Sequence, residues 1–471
     1  MPADPPARPA GTGSLESGLL AAPGRVHVIG VGGVGMSAIA TVLAQMGHQV
    51  SGSDLKASPV TERLAASGVS VVIGHDPANV ASADVVTYSP AVAESNIELA
   101  EARRRAIPVV RRSSILAAIA GARRCIAVAG THGKTTTASM LSLVLVEAGF
   151  HPSFVIGADV NETGTNAVWD GGDWLVMEAD ESYGSFGDLS CEVALVTNVE
   201  PDHLDHYGTF DALTDAFRRY LRAASGRVVS ADDPVAAELG AEIGAVSVGT
   251  AGGADYLMSA LSAERSSIGF DLTGPDGRLG RIELAVPGMH NARNAAVAVV
   301  GALVIGADFE AAGAALARFA GVPRRFEFRG EAGGVTFVDD YAHLPTEVRA
   351  TLAAARAGGW RRIVAVFQPH RYTRTAALAT SFADAFEEAD LVFVTEVYSA
   401  GEAPMPGVSG RLVADAVASS GAHPRVVYVS SRRELVAAVA AMLRPGDLCV
   451  TLGAGDLTTV PEELIALRSG R

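Results

Sequence analysis

The sequence predicts an α/β protein of three successive domains. Its 471 residues are enough for about three domains at ~150 residues each. Short apolar, β-rich runs alternate with glycine turns and helical stretches, the signature of parallel sheets with crossover helices. That alternation starts afresh three times, near residues 25, 125 and 325.

Residues 1–24 carry five prolines with several Gly and Ser and read as a disordered tail. A first domain, 25–122, opens on Arg25-Val-His-Val-Ile29 and continues through runs at Val69–Ile73, Val85–Tyr88 and Pro108–Val110. A second, 123–323, starts at Cys125–Ala129 and continues through Trp174–Met177 and Val193–Thr197. Between about 245 and 286 it turns to short alternating runs rich in Gly and Asp, which predicts a small antiparallel excursion, followed by an Ala/Val-rich helix from Asn291. The third domain, 324–471, has runs at Val335–Val338, Ile363–Phe367, Leu391–Thr395, Val426–Val429 and Leu448–Leu452.

With 37 basic and 52 acidic residues the net charge is −15, which argues against nucleic acid as a partner. Anionic substrates must then be held locally, at helix N-termini and by a few placed cations. Cys125, Cys191 and Cys449 lie in or beside apolar runs without metal-type spacing and read as buried thiols. The N-terminal residues lack a basic region followed by an apolar one, and no run is long and apolar enough to span a bilayer. A cytoplasmic protein with no membrane partner is expected.

The segment Gly130-Thr131-His132-Gly133-Lys134-Thr135-Thr136-Thr137 follows an apolar strand and precedes a helical run, Ala138–Ala148. That is the setting of a phosphate loop. Glycines turn backbone N–H groups toward the phosphates, the helix N-terminus adds positive potential, Lys134 reaches the β- and γ-phosphates, and the Thr135 hydroxyl ligates Mg²⁺. The usual spacing would place glycine at position 128, where this chain has Val128, so the loop is a shortened variant. Glu178 ends the run Trp174–Met177 and is a candidate metal ligand. His203 lies among acids in Thr197–Asp205 and reads as a metal or phosphate contact.

Gly30-Val-Gly32-Gly33-Val-Gly35 matches G-x-G-x-x-G directly after a strand, and Asp54 ends the next strand, 24 residues beyond Gly30. A pyrophosphate fits over such a turn. It can belong to NAD or to a UDP-sugar, and the motif does not choose.

Taken together, these segments resemble the Mur ligases of bacterial cell-wall synthesis, and in particular the alanine-adding branch. The resemblance runs from Arg25 onward. It is carried by Gly30–Ser37, Gly130–Thr137, Glu178-Ala-Asp-Glu-Ser182, Thr197-Asn198, Asp202–Asp205, His290-Asn-Ala-Arg-Asn294, Arg324–Glu327, Asp339-Asp-Tyr-Ala-His343 and Phe367-Gln-Pro-His-Arg-Tyr-Thr-Arg-Thr375. It implies an N-terminal Rossmann-like domain, a central P-loop ATPase-like domain and a C-terminal Rossmann-like domain. It also implies three substrates: ATP, UDP-N-acetylmuramate and L-alanine. The lactyl carboxylate attacks the γ-phosphate to give an acyl phosphate, which the amine of alanine then attacks.

Carried onto this chain, the resemblance makes Lys134, His203 and Arg325 catalytic. Thr135, Glu178 and His203 hold metal, and His290, Asn291, Asn294 and Asp340 serve the adenine and ribose side of ATP. Ser185 joins Gly30, Gly32, Gly33, Gly35 and Asp54 on the UDP substrate. His370, Arg371 and Arg374 meet a carboxylate, either alanine's or the sugar acid's, and Tyr341 and His343 flank alanine. A basic triplet at a helix start opposes the dipole, so a bound anion explains it. A monomer or homodimer is expected.

Three departures stand out. Leu344 occupies the place of a second histidine, Tyr183 that of an Asp, and the stretch Asp215–Tyr220 has no lysine to carbamylate, as in the alanine-adding branch. An NAD-dependent oxidoreductase is the rival enzyme class, but it leaves Lys134, Glu178 and His203 unexplained. A regulatory P-loop module is the non-enzymatic rival.

Overall fold

The computed structural model describes residues 20, 22–182, 186, 189–421 and 424–469. Most of the expected tail, together with Tyr183 and Ser185, lies outside the described residues.

The strands fall into three sheets. The first contains β1 (Arg25–Ile29), β2 (Gln49–Asp54), β3 (Ser70–Ile73), β4 (Val85–Tyr88) and β5 (Val109–Arg111), all parallel, in the order β3-β2-β1-β4-β5. The second contains β6 (Arg124–Ala129), β7 (Ser153–Val160), β8 (Thr165–Val168), β9 (Trp174–Glu178), β10 (Val193–Val196), β11 (Gly226–Ser230), β12 (Val246–Gly249), β13 (Tyr256–Ala263), β14 (Ile268–Gly274) and β15 (Gly277–Leu284). Its order is β15-β14-β13-β12-β11-β10-β6-β9-β7-β8. The third contains β16 (Glu327–Ala332), β17 (Val335–Asp340), β18 (Arg362–Phe367), β19 (Leu391–Val394), β20 (Arg425–Tyr428) and β21 (Asp447–Leu452), in the order β16-β17-β21-β18-β19-β20.

Strand order puts the chemistry at the sheet edges. In the first sheet the winding reverses at β1, between β2 and β4, so a crevice opens beyond the β1 C-terminus where the Gly30 turn begins. In the second, β6 lies between β9 and β10, with Val128 level with Glu178 and Ala129 level with Val196. The Gly130 loop, Glu178 and Thr197 therefore emerge side by side. In the third, Asp340, Leu452 and Phe367 share one register line at the same kind of edge.

The central strands are buried on both faces, which is why they read as continuous apolar runs. β10 and the Cys125–Ala129 part of β6 are wholly buried, as are all three cysteines, which are free thiols. The helix Lys134–Glu147 packs on the Ala/Val-rich helix Met289–Val304, whose face from Asn294 to Ala302 is entirely buried.

The antiparallel excursion is present as β13, β14 and β15, but β12, inside the same expected interval, joins the sheet in parallel. The helix after the phosphate loop begins at Lys134, four residues ahead of the expected start. Read without the resemblance, Asp339 and Asp340 look like a turn; they are instead the buried last residues of β17. β7, β8, β11 and β16 escaped the sequence reading. Gly157 interrupts the apolar pattern of β7, and β16 is a polar edge strand with a register shift.

Buried Tyr220, on the helix Phe210–Ala223, donates its hydroxyl to the Ala127 carbonyl on β6 at 2.6 Å. Tyr220→Phe should lower the unfolding free energy by about 1 kcal/mol. An unchanged denaturation midpoint would show that this bond does not anchor β6.

Candidate active site

The Gly130 loop is fixed by backbone and by its neighbour strand. Gly130 has φ +139°, and a Cβ there would collide with Thr197 Oγ1, so only glycine fits. Gly133 caps the following helix with φ +79°. The loop is stitched to the end of β10: Thr131 N–H donates to Asn198 O at 3.1 Å and His132 N–H to Asn198 Oδ1 at 2.8 Å. In return Thr197 Oγ1 and Asn198 Nδ2 donate to His132 O at 2.6 and 3.0 Å. Thr197 and Asn198 were noted in the sequence only as part of a resemblance; the structure makes them the loop's clamp.

Lys134 Nζ donates to Gly130 O at 2.6 Å and to Glu181 Oε1 at 2.8 Å. Thr135 Oγ1 donates to Glu178 Oε2 at 3.1 Å, and Gly157 N–H donates to Glu178 Oε1 at 2.5 Å. Burial pushes the Glu178 and Glu181 carboxyls above their ordinary range, with Lys134 pulling the other way. Glu181 Oε2 is buried without a hydrogen-bond partner. The Thr135 hydroxyl and the Glu178 carboxylate, side by side at the loop, are oxygen donors of the kind that fit a divalent cation. Among the described residues no three His, Cys, Asp or Glu side chains form a ready-made cage. That suits a cation held by one or two protein ligands and by substrate phosphate. His203, in a left-handed conformation with φ +54°, pairs with Asp202 at 3.3 Å, and no contact joins it to Thr135 or Glu178.

Two clefts meet at this loop. One, of about 590 Å³, is lined by His132, Gly133 and Thr136, by His290, Asn291 and Asn294, and by Arg325, Asp340 and Glu347. Gly288, not Asn291, caps the helix Met289–Val304, and Asn291 Nδ2 donates to Pro287 O at 2.7 Å. Asp340 accepts from Phe326 N–H and Ala342 N–H, both at 2.7 Å, and burial raises its pKa to about 6. Burial, aided by Arg325 and Arg293, lowers His290 to about 4 and keeps it neutral.

The other cleft, of about 1070 Å³, runs from the first domain to Lys134, Thr135 and Glu178 and is also lined by Arg325 and Tyr341. Of the expected glycine turn, Gly35 lines it. The Asp54 carboxylate is engaged by the turn itself, accepting Gly32 N–H at 2.9 Å. Arg112 was missed in the sequence. It opens the helix Arg112–Gly121, lines the cleft and lies against Gly35, and its Nε is buried without a partner. The available signal was the basic pair Arg111-Arg112 at a helix start, the same signal read at Arg371 and Arg374.

The remaining expected residues form a third group. Tyr341, His343 and His370 contact edge to face in sequence, with ring centroids 5.4 and 5.6 Å apart, and Tyr398 stacks on His370 at 5.6 Å. Burial, then His343 and Arg374, drop His370 to about 3, and burial also lowers His343, so both imidazoles are neutral. Arg371 is met by Glu402 at 2.7 Å and Arg374 by Asp202 at 3.3 Å. Arg324 is structural: its guanidinium binds Asp339 at 3.2 Å and the Gly453 carbonyl at 2.6 Å. Arg325 is left to face both clefts.

Comparison with known proteins agrees with this layout. Residues 25–124 match the model of the Mur ligase family catalytic domain, 128–302 the Mur ligase middle domain, and 324–455 the Mur ligase glutamate ligase domain. The chain is 45% identical over 450 residues to the UDP-N-acetylmuramate–L-alanine ligase of Anaeromyxobacter sp. (strain Fw109-5), covering 94% of this chain and 98% of that protein. It is 46% identical over 448 residues to the enzyme of the same name from Rubrobacter xylanophilus, covering 94% and 99%. Among solved structures, the UDP-N-acetylmuramate-alanine ligase of Thermotoga maritima superposes with a TM-score of 0.79 at 28% identity, over 95% of this chain and all of that one.

The His132 ring, between Glu347 at 3.1 Å and Glu200 at 3.2 Å, ties the loop to the third domain. Burial disfavours its charge, but Glu347 and Glu200 outweigh that and raise it from 6.5 to about 9. The folded chain thus holds the proton more tightly than the unfolded one. The stabilisation is full below pH 6.5 and is lost as pH rises through about 9. Denaturation midpoints should fall between pH 7 and about 9.5, and His132→Asn should flatten that fall. Equal slopes in the two proteins would reject the charge assignment.

Proposed function

The chain belongs to the Mur ligase family, and we propose that it uses ATP to join L-alanine to the lactyl carboxylate of UDP-N-acetylmuramate, through an acyl phosphate, in making peptidoglycan precursors. The observation that carries this reading is that two clefts flank the phosphate loop, the larger lined by Lys134, Thr135 and Glu178 and the smaller by His132, Gly133 and Thr136, with Arg325 on the wall of both. A nucleotide laid along the smaller cleft brings its γ-phosphate to Lys134. A carboxylate carried on a UDP-sugar in the larger cleft approaches that phosphate from the opposite side.

Two anions must meet for the first step, so the repulsion has to be offset by fixed positive charge. Lys134 exchanges Glu181 and the loop carbonyls for phosphate oxygens, and Arg325 turns from the cleft wall to the same oxygens. Mg²⁺ held by Thr135 and Glu178 neutralises further phosphate charge when bound. Asn291, Asn294, His290 and Asp340 take the adenosine end. Arg112 and the backbone around Gly35 take the diphosphate of the sugar nucleotide, the buried Nε finding there the acceptor it lacks. His370, Arg371 and Arg374 receive the amino acid's carboxylate, in the group formed with Tyr341, His343 and Tyr398. The neutral imidazoles of His343 and His370 add no charge repulsion against the incoming ammonium. His203, beside Asp202, serves as a further metal or phosphate contact.

Lys134→Ala should abolish alanine-dependent phosphate release, by at least about 10³-fold, with the native circular dichroism spectrum retained. Full activity in that variant would remove the loop from the mechanism. Arg374→Ala should raise the KM for alanine more than the KM for ATP or for the sugar acid. An effect confined to ATP would reject the carboxylate role.

A further inference from the structure

The loop that follows β19 runs beside the basic segment that follows β18. The two backbones exchange hydrogen bonds on either side of His370. Tyr398 N–H donates to Pro369 O and Arg371 N–H to Tyr398 O, both at 2.8 Å. The Tyr398 ring stacks on the His370 imidazole with an interplanar angle of 13°. Gly455 lies against the same tyrosine, and a Cβ there would come within 2.6 Å of the ring. Further along the loop, Glu402 Oε1 accepts from Arg371 Nε at 2.7 Å and from Thr373 Oγ1 at 2.6 Å. Its Oε2 accepts from Thr373 N–H at 3.1 Å.

Arg371 has φ +71°, a backbone conformation that a side-chain-bearing residue keeps only where its surroundings hold it. Both holds come from this one loop: the Tyr398 carbonyl takes the Arg371 N–H, and Glu402 takes its Nε. The basic triplet at the start of the helix Tyr372–Leu378 thus already meets an anion, and that anion is the chain's own carboxylate. A guanidinium carries five N–H donors, so Arg371 can bind Glu402 and a substrate carboxylate together. We propose that the loop Tyr398–Glu402 braces the amino-acid site, with Tyr398 the positioning residue for His370 and Glu402 the positioning residue for Arg371. The brace sets the angle at which imidazole and guanidinium meet the amino acid's carboxylate. An unbraced arginine reaches an anion at many angles, and only a few of them leave the amine facing the acyl carbon.

The proposal deepens the ligase reading and rests on it for what the site binds. The full chain is measured as wild type, Tyr398→Leu, Tyr398→Phe and Glu402→Gln. Tyr398 is 38% exposed and Glu402 lies on a loop, so none of these changes opens the core. In Glu402→Gln the KM for alanine should rise about tenfold, the loss expected of one charge-assisted hydrogen bond. In Tyr398→Leu it should rise about fivefold, the loss expected of one aromatic pair. The KM values for ATP and the sugar nucleotide should move much less, and Tyr398→Phe, which keeps the ring, should recover the alanine KM. Without any substrate, the NMR signal of the His370 ring protons should shift in Tyr398→Leu and stay in place in Tyr398→Phe. Equal rises in all three KM values, an unchanged alanine KM, or no recovery with phenylalanine would overturn the brace. A His370 signal that ignores the loss of the Tyr398 ring would overturn it whatever the activity. If that signal does follow the ring but the wild type releases no phosphate with alanine, the ligase reading alone is overturned.

Discussion

An ammonium group surrounded by three carboxylates at the ends of parallel strands sets the terms for this molecule. Lys134 is held by Glu181 and by the carbonyl of Gly130, with Glu178 and Asp180 close enough to act on its charge. Such a group is costly to bury unless it is paired, and here the pairing is lopsided toward negative charge. Burial pushes Glu178 and Glu181 toward their neutral forms, so the group is ready to take up a divalent cation that accompanies a nucleotide. The rest of the second domain serves that arrangement. β6 delivers the loop, β9 delivers Glu178, and β10 delivers the Thr197-Asn198 clamp that stops the loop from relaxing away.

The second consequence is division of labour among domains. No single sheet edge supplies both a nucleotide and a sugar-nucleotide surface. The first domain contributes Gly35 and Arg112, the second the phosphate loop and the Asn291/Asn294 face, the third Arg325, Asp340 and the aromatic row from Tyr341 to Tyr398. The first and second domains share an apolar core, whereas ionic contacts join the second and third: Arg374 with Asp202, and His132 with Glu347. A polar interface such as that between the second and third domains opens and closes at modest cost, as an enzyme that admits three substrates requires.

Departures from the family pattern acquire physical meaning in this setting. Val128 stands where a longer phosphate loop would have glycine, and it is fully buried as the penultimate residue of β6, so the loop begins only at Gly130. Leu344 stands where a second histidine is usual. It is buried at the start of the helix Pro345–Ala357 and contributes its backbone N–H to Glu347, a task any residue but proline could perform. Tyr220, in the stretch without lysine, is a core residue bonded to β6.

Much of the site was legible in the sequence because its parts are local. A phosphate loop needs glycines, a lysine and a hydroxyl within a few consecutive residues, and the strand before it and the helix after it announce themselves by periodicity. The glycine turn, the Asn-rich helix start and the basic segment after Phe367 are local in the same sense, as is the order of the three α/β units. Tertiary structure alone decided what depends on long-range pairing. Asp54 was spent on Gly32, Arg324 was tied down while Arg325 was left to face the clefts, and His203 met Asp202 rather than Glu178. Arg112 and Glu347 gained their importance the same way. They are more than 70 and more than 200 residues from Gly35 and His132, and only the packing of domains places them in contact. A sequence records which charges a chain carries, but the partner each charge finds is set by which strand ends the fold brings together.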